Sequence, residues 1–96
     1  MKMLMLIGPE GRETDLRELV SRHSVHAYSE FRNVTGEGAT GRHLGTSVFP
    51  GRSVVIFTVV PADKLTELQE ALADFRATLY ADEGVRAFVL PVEEIL

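Results

Sequence analysis

His23, His26 and His43 are the only imidazoles in the chain. Three of them, or two with Glu30, would supply the donor set of a zinc-type ion. Their spacing argues against it. His26 and Glu30 fall four residues apart on one side of an extended segment, too far to chelate together without a further ligand. His23 continues the apolar stripe of a helix. Ser21, Ser24, Ser47 and Ser53 lack the G-x-S-x-G context of a serine nucleophile. The adjacent acids Asp82-Glu83 and Glu93-Glu94 point apart along a chain, so they read as solvated side chains and not as an acid–base pair. With no cysteine, disulfides, thiolate metal sites and thiol catalysis are excluded.

The remaining chemistry lies in residues 33–52, NVTGEGATGRHLGTSVFPGR, which hold Gly36, Gly38, Gly41, Gly45 and Gly51, five of the eight glycines. Glycine lets the backbone come close to a ligand. Gly36, Gly38, Gly41 and Gly45 in series would make a nest of N–H groups for an anion, with Arg42 and Arg52 adding charge. The other reading is a flexible hairpin that needs positive φ. No Walker lysine pattern is present.

The elements that must carry this segment follow from periodicity. Met1–Ile7 is a short apolar run ended by Gly8-Pro9 and reads as a strand buried on both faces. From about Arg12 the period becomes helical, with Leu16, Leu19, Val20 and His23 on one face and Asp15 and Glu18 as a capping pair. Val25, Ala27, Ser29 and Phe31 alternate with His26, Tyr28, Glu30 and Arg32, the pattern of an edge or interface strand. Pro50-Gly51 is a type II turn signature. Ser53–Val60 is apolar and β-branched, a central strand closed by Pro61. Asp63 reads as the N-cap of a helix with the stripe Leu65, Leu68, Leu72, Phe75 and Leu79. Residues 80–84 break it, and Val85–Leu90 is a fourth strand stopped by Pro91.

The order β-α-β-β-α-β predicts an α+β, ferredoxin-like fold, a four-stranded antiparallel sheet with both helices on one face and the first and third strands central. Ninety-six residues fit one domain, 1–96. Ten basic against fourteen acidic residues, a net charge of −4, argue against a nucleic-acid partner. The first residues, MKMLMLIGP, are too short an apolar run for a signal peptide or membrane span, so the expected location is the cytoplasm.

Four matches make the chain similar to the PII-like superfamily of trimeric signalling proteins, related to nitrogen regulatory protein PII. The apolar first strand ends at Gly8-Pro9. The second strand runs into Gly36-Glu37-Gly38, like the Gly-x-Gly at the base of the family's T-loop. The third strand and second helix follow in the family's order. Val89-Leu90-Pro91-Val92-Glu93-Glu94-Ile95 resembles the family's Pro-Val-Glu ending. There are departures. ATP-binding members carry a Gly-Lys-rich B-loop where this chain reads Arg76 to Gly84 without lysine, and arginines after Pro-Val-Glu, where this sequence stops at Leu96. The residue after the second glycine is Ala39, and the T-loop is shorter.

The resemblance implies a homotrimeric regulatory protein and no enzyme. It implies a small-molecule ligand in the inter-subunit cleft at the loop base, with Gly36, Gly38, Gly41, Arg42, His43, Gly45 and Thr46 as candidate contacts, and a protein target met through residues 35–50. No catalytic residue, metal ligand or cofactor is assigned. The alternatives are a metal-binding protein of metal homeostasis like the CutA-type proteins, which share the fold, and a small dimeric α+β-barrel enzyme. Physics alone points to an oligomer. Strand one presents Met1, Met3, Met5 and Ile7 on one side and Leu4 and Leu6 on the other. Strand three presents Val54, Ile56, Thr58 and Val60 on one side and Val55, Phe57 and Val59 on the other, so both faces are apolar and two helices can cover only one. His26, Tyr28, Glu30 and Arg32 are expected at the margin of that interface.

Overall fold

A computed structural model describes residues 1–23, 25–35, 52–81 and 83–96. Strand β1 (Lys2–Pro9) leads through a turn of 3-10 helix, Glu10–Arg12, into helix α1 (Glu13–Arg22). Strands β2 (Ser29–Val34) and β3 (Ser53–Val60) follow. A second 3-10 turn, Ala62–Lys64, opens helix α2 (Leu65–Arg76), and β4 (Arg86–Pro91) completes the sheet. The strand order is β2-β3-β1-β4, antiparallel throughout, so the two most apolar strands are central and the fold is ferredoxin-like as expected. No helix among the described residues is long and apolar enough to cross a membrane.

Alternation sorts each central strand into two faces. Leu4, Leu6, Val54, Ile56 and Val60 pack under Leu16, Leu19 and Val20 of α1 and Leu68 and Leu72 of α2, with Val25 and Val85 closing the core. Thr58 is buried among them, and its hydroxyl donates to the Ala27 carbonyl at 2.6 Å. The register joins Met3 to Val59 and Leu90, Met5 to Phe57 and Phe88, and Ile7 to Val55. These side chains line the opposite, helix-free face, where Phe31 stacks on Phe57 with ring centroids 5.7 Å apart.

Several boundaries differ from the expected ones, each for a physical reason. β1 runs through Gly8-Pro9, which pair with Val54 and Ser53. Gly8 is there for close packing and does not stop the strand: a Cβ would lie 2.9 Å from Leu16 Cδ1 and 3.3 Å from Val85 Cγ2. Pro9 is tolerated because β4 reaches only as far as Ile7. Asp15 and Glu18 do not cap α1, nor Asp63 α2. Both helices open through 3-10 turns whose last residues, Arg12 and Lys64, make no side-chain cap bond. Arg76 ends α2, yet Leu79 still packs against the core. β4 is shifted by one residue and includes Pro91, tolerable on an edge strand.

The second strand is the largest revision. Residues 25–28 alternate in sequence but lie outside the ladder, and pairing starts at Ser29. Phe31 pairs with Val55 and Val34 with Ser53, so β2 carries one extra residue, a bulge that Asn33 accommodates at φ 58°. Before the bulge Glu30 pairs with Ile56 and faces the helices, not the open face. Glu30 and Arg32 therefore do not border the apolar face. They join α1 instead, with Arg32 Nε 2.8 Å from Glu30 and 3.0 Å from Glu13, and Arg17 3.4 Å from Glu13.

Candidate functional site

Gly36, Gly38, Gly41, Arg42, His43, Gly45 and Thr46 lie outside the described residues, as do the Pro50-Gly51 turn, Ser24 and Ser47. What is described is the base from which that segment leaves and to which it returns. β1 ends, β2 ends, β3 begins and β4 begins at one end of the sheet, because Pro9 and Val34 both pair with Ser53 and Ile7 pairs with Arg86. Three connections converge there: β1 to α1, β2 to β3, and α2 to β4.

Backbone and side chains lock these connections together. The Glu10 N–H donates to the Arg52 carbonyl at 2.9 Å, which ties the start of α1 to the exit of the glycine segment. Arg52 is exposed and reaches back to the bulge, its Nη1 donating to Asn33 Oδ1 at 3.4 Å. Arg12 spans to the third connection, where Nε and Nη2 donate to the two oxygens of Glu83 at 3.0 and 2.8 Å. Its Nη1 donates to Asp15 at 3.1 Å. Tyr80 completes the cluster: its N–H donates to Glu83 Oε1 at 3.0 Å and its ring lies 5.9 Å from the guanidinium carbon.

The electrostatics follow from these bonds. The hydrogen bond to Glu83, then that to Asp15, raises the Arg12 guanidinium further above its ordinary value. The same bond from Arg12, helped by the Tyr80 N–H, holds the Glu83 carboxyl below the usual carboxylate range. Arg32 is raised as well, first by its bond to Glu30 and then by the charge of Glu13. Glu83 is thus not the solvated acid expected from its neighbour Asp82; it is the partner of Arg12. Arg12 follows β1 and Glu83 precedes β4, so the two share a sheet end only through the β1–β4 pairing, which local sequence patterns do not report.

His43 lies outside the described residues, and His23 and His26 have different surroundings. His23 ends α1 and bonds through Nδ1 to Glu67 on the first turn of α2, a bridge between helices. His26 is exposed, outside β2. Among the described residues no three His, Asp or Glu side chains are grouped to hold a metal ion. Glu93 and Glu94 are exposed as expected. Two surface hollows lie away from the loop end. One, of about 350 Å³, is lined by Met1, Val59, Val92, Glu93 and Glu94. The other, of about 270 Å³, runs between α2 and β4 over Leu65, Leu68, Leu72 and Val89.

The family model for nitrogen regulatory protein P-II matches residues 1–96. No curated protein sequence matches. Among solved structures, the chain is similar to CPII, a nitrogen regulatory PII-like protein from Thiomonas intermedia bound to ADP, AMP and bicarbonate, with 20% identity, a TM-score of 0.68, and 99% of this chain and 94% of that one covered. A second CPII structure, bound to ADP and bicarbonate, aligns at 22% identity and a TM-score of 0.69 over 95% of this chain and 86% of that one. A PII-like signaling protein from Thermus thermophilus aligns at 19% identity and a TM-score of 0.62 over 93% and 82%. At these identities the structural likeness carries the fold.

Proposed function

The chain belongs to the nitrogen regulatory protein P-II family, and from that premise we propose that it is a cytoplasmic, non-catalytic regulator. It assembles as a homotrimer, binds a small ligand in the cleft between subunits at the base of the glycine segment, and meets a protein target through residues 35–50. The observation that carries the assembly is the helix-free sheet face. Phe31, Phe88 and Leu90 stand 59%, 50% and 41% exposed there, contiguous with Met3, Met5, Ile7, Val55 and Phe57. An apolar surface of that kind marks an interface in a soluble protein, and closed cyclic symmetry buries it on every copy at once. The choice of three copies comes from the family resemblance.

The CPII structures hold ADP, which makes an adenine nucleotide the first ligand class to test. Residues 76–84 carry no lysine, and Glu83 brings a carboxylate to the same connection. We therefore infer weaker hold on a polyphosphate than a lysine-rich loop would give. Candidate contacts remain Gly36, Gly38, Gly41, Arg42, His43, Gly45 and Thr46. Isothermal titration with ADP, AMP and bicarbonate tests the ligand class. Gly38→Val tests the site, because a side chain there blocks close backbone approach while the described core is untouched. Saturable binding that Gly38→Val abolishes is the expected result. Binding at full strength in that variant would refute the site, and no binding by any of the three would refute the ligand class.

A further inference from the structure

Arg12 presents its fork to a carboxylate in the parallel, two-bond geometry by which arginine takes carboxylate and phosphate ligands. Here the oxyanion comes from the chain itself. The pair is partly open to solvent, with side-chain exposures of 23% for Arg12 and 20% for Glu83, so a dissolved anion can reach the guanidinium and a displaced carboxylate can be hydrated. The group that supplies the oxyanion sits on a slight element. Tyr80, Ala81 and Gly84 are all exposed, and Tyr80 reaches 73%. Tyr80 and Glu83 are joined by two bonds, Tyr80 N–H to the Glu83 carboxylate and Glu83 N–H to the Tyr80 carbonyl, both at 3.0 Å, so they form one turn. That turn also lays the Tyr80 ring beside the guanidinium.

We propose that Arg12 is an anion-binding group kept in a self-occupied state by Glu83. A ligand bearing a carboxylate or phosphate group takes the guanidinium fork from Glu83, and the Tyr80–Glu83 turn parts from Arg12 as it does. Glu83 competes as a tethered anion at high effective concentration and so sets the ligand level at which the turn is released. Asp15 remains on Nη1, and its charge together with that of Glu83 disfavours a third anion until Glu83 has left. All four side chains belong to one chain, and the anion titration reads Arg12 and Glu83 directly, whatever the outcome at Gly38.

Tyr28 and Tyr80 are the two tyrosines, and there is no tryptophan, so in a Tyr28→Phe background intrinsic emission reports Tyr80 alone. That protein is titrated with inorganic phosphate and, separately, with acetate at constant ionic strength. The expected result is a saturable change in Tyr80 emission with at least one anion, tightened roughly two- to fivefold by Glu83→Gln, the range that the coupling of an accessible ion pair allows. A response to phosphate alone assigns a phosphate group, and a response to acetate alone a carboxylate. Arg12→Lys keeps the charge without the fork and is expected to lose the response in the Glu83→Gln background. No saturable change with either anion in Glu83→Gln, equal affinity with and without Glu83, or an Arg12→Lys variant that binds as well as its parent would each overturn the proposal.

Discussion

Gly8 lies so close beneath Leu16 that a single added carbon, its Cβ, would stand 2.9 Å from Leu16 Cδ1. Leu16 is fully buried and cannot swing into solvent to make room. Gly8→Val is therefore expected to destabilise the protein by ~1–3 kcal/mol through overpacking. The companion Leu16→Ala costs ~2–5 kcal/mol as a cavity. The double variant should be less destabilised than the two costs added, because each change relieves the other. Urea unfolding of all four proteins checks it, and strict additivity would show that the two sites do not touch.

Among the described residues Thr58 is the buried polar residue of the core, and its hydroxyl is the donor that meets the Ala27 carbonyl. Thr58→Val keeps the shape and removes the donor, at an expected cost of about 1 kcal/mol. Thr58→Ser keeps the bond. Hydrogen exchange should quicken across residues 25–28 in the valine variant and much less in the serine one, since this bond stands where ladder pairing is missing.

Glu67 is held below the usual carboxylate range, first by its bond from His23, and Glu83 by its bond from Arg12. A carboxyl whose folded pKa is depressed binds fewer protons folded than unfolded. Its stabilisation is complete above the unfolded value of about 4.3 and is lost as pH falls through the folded value. Unfolding free energy measured between about pH 2 and 6 should therefore rise with pH. The slope should be shallower in the Glu67→Gln, Glu83→Gln double variant. An unchanged slope would assign the acid sensitivity to other carboxyls.

Phe88 is half exposed on the helix-free face, so Phe88→Glu should spare the fold of the subunit while placing a charge in the proposed interface. Light scattering coupled to size exclusion is expected to show a trimer for the parent protein and a smaller species for the variant, with unchanged far-ultraviolet dichroism. A parent monomer would refute burial of this face between copies. A parent dimer would keep the burial and overturn three-fold closure.

The central architecture was legible because two physical signals agreed in it. Ser53–Val60 is apolar on both sides apart from Ser53 and Thr58, the pattern of a strand with neighbours on both edges. The second strand misled because its alternation extends to Val25 while the chain there bonds to β3 through a side chain, Thr58, and not through a ladder. The helix starts misled for a related reason. Asp15 and Asp63 have the right chemistry for caps, but 3-10 turns place Arg12 and Lys64 in the cap positions. Of the site, the glycines were visible from composition, whereas the Arg12–Glu83 pair was not. Its members lie 71 residues apart and become neighbours only through the pairing of β1 with β4.

That pairing has a practical corollary. Lys2 stands opposite Pro91, so β1 begins and β4 ends side by side at the end of the sheet remote from Glu10, Asn33 and Arg52. A surface tether or a fluorescent reporter attached by substitution at Lys2 or Pro91 would leave the opposite pole unobstructed. The two poles of the sheet are thus separately addressable: chemistry done beside Lys2 and Pro91 does not touch the pole that carries Arg12, Arg52 and Glu83.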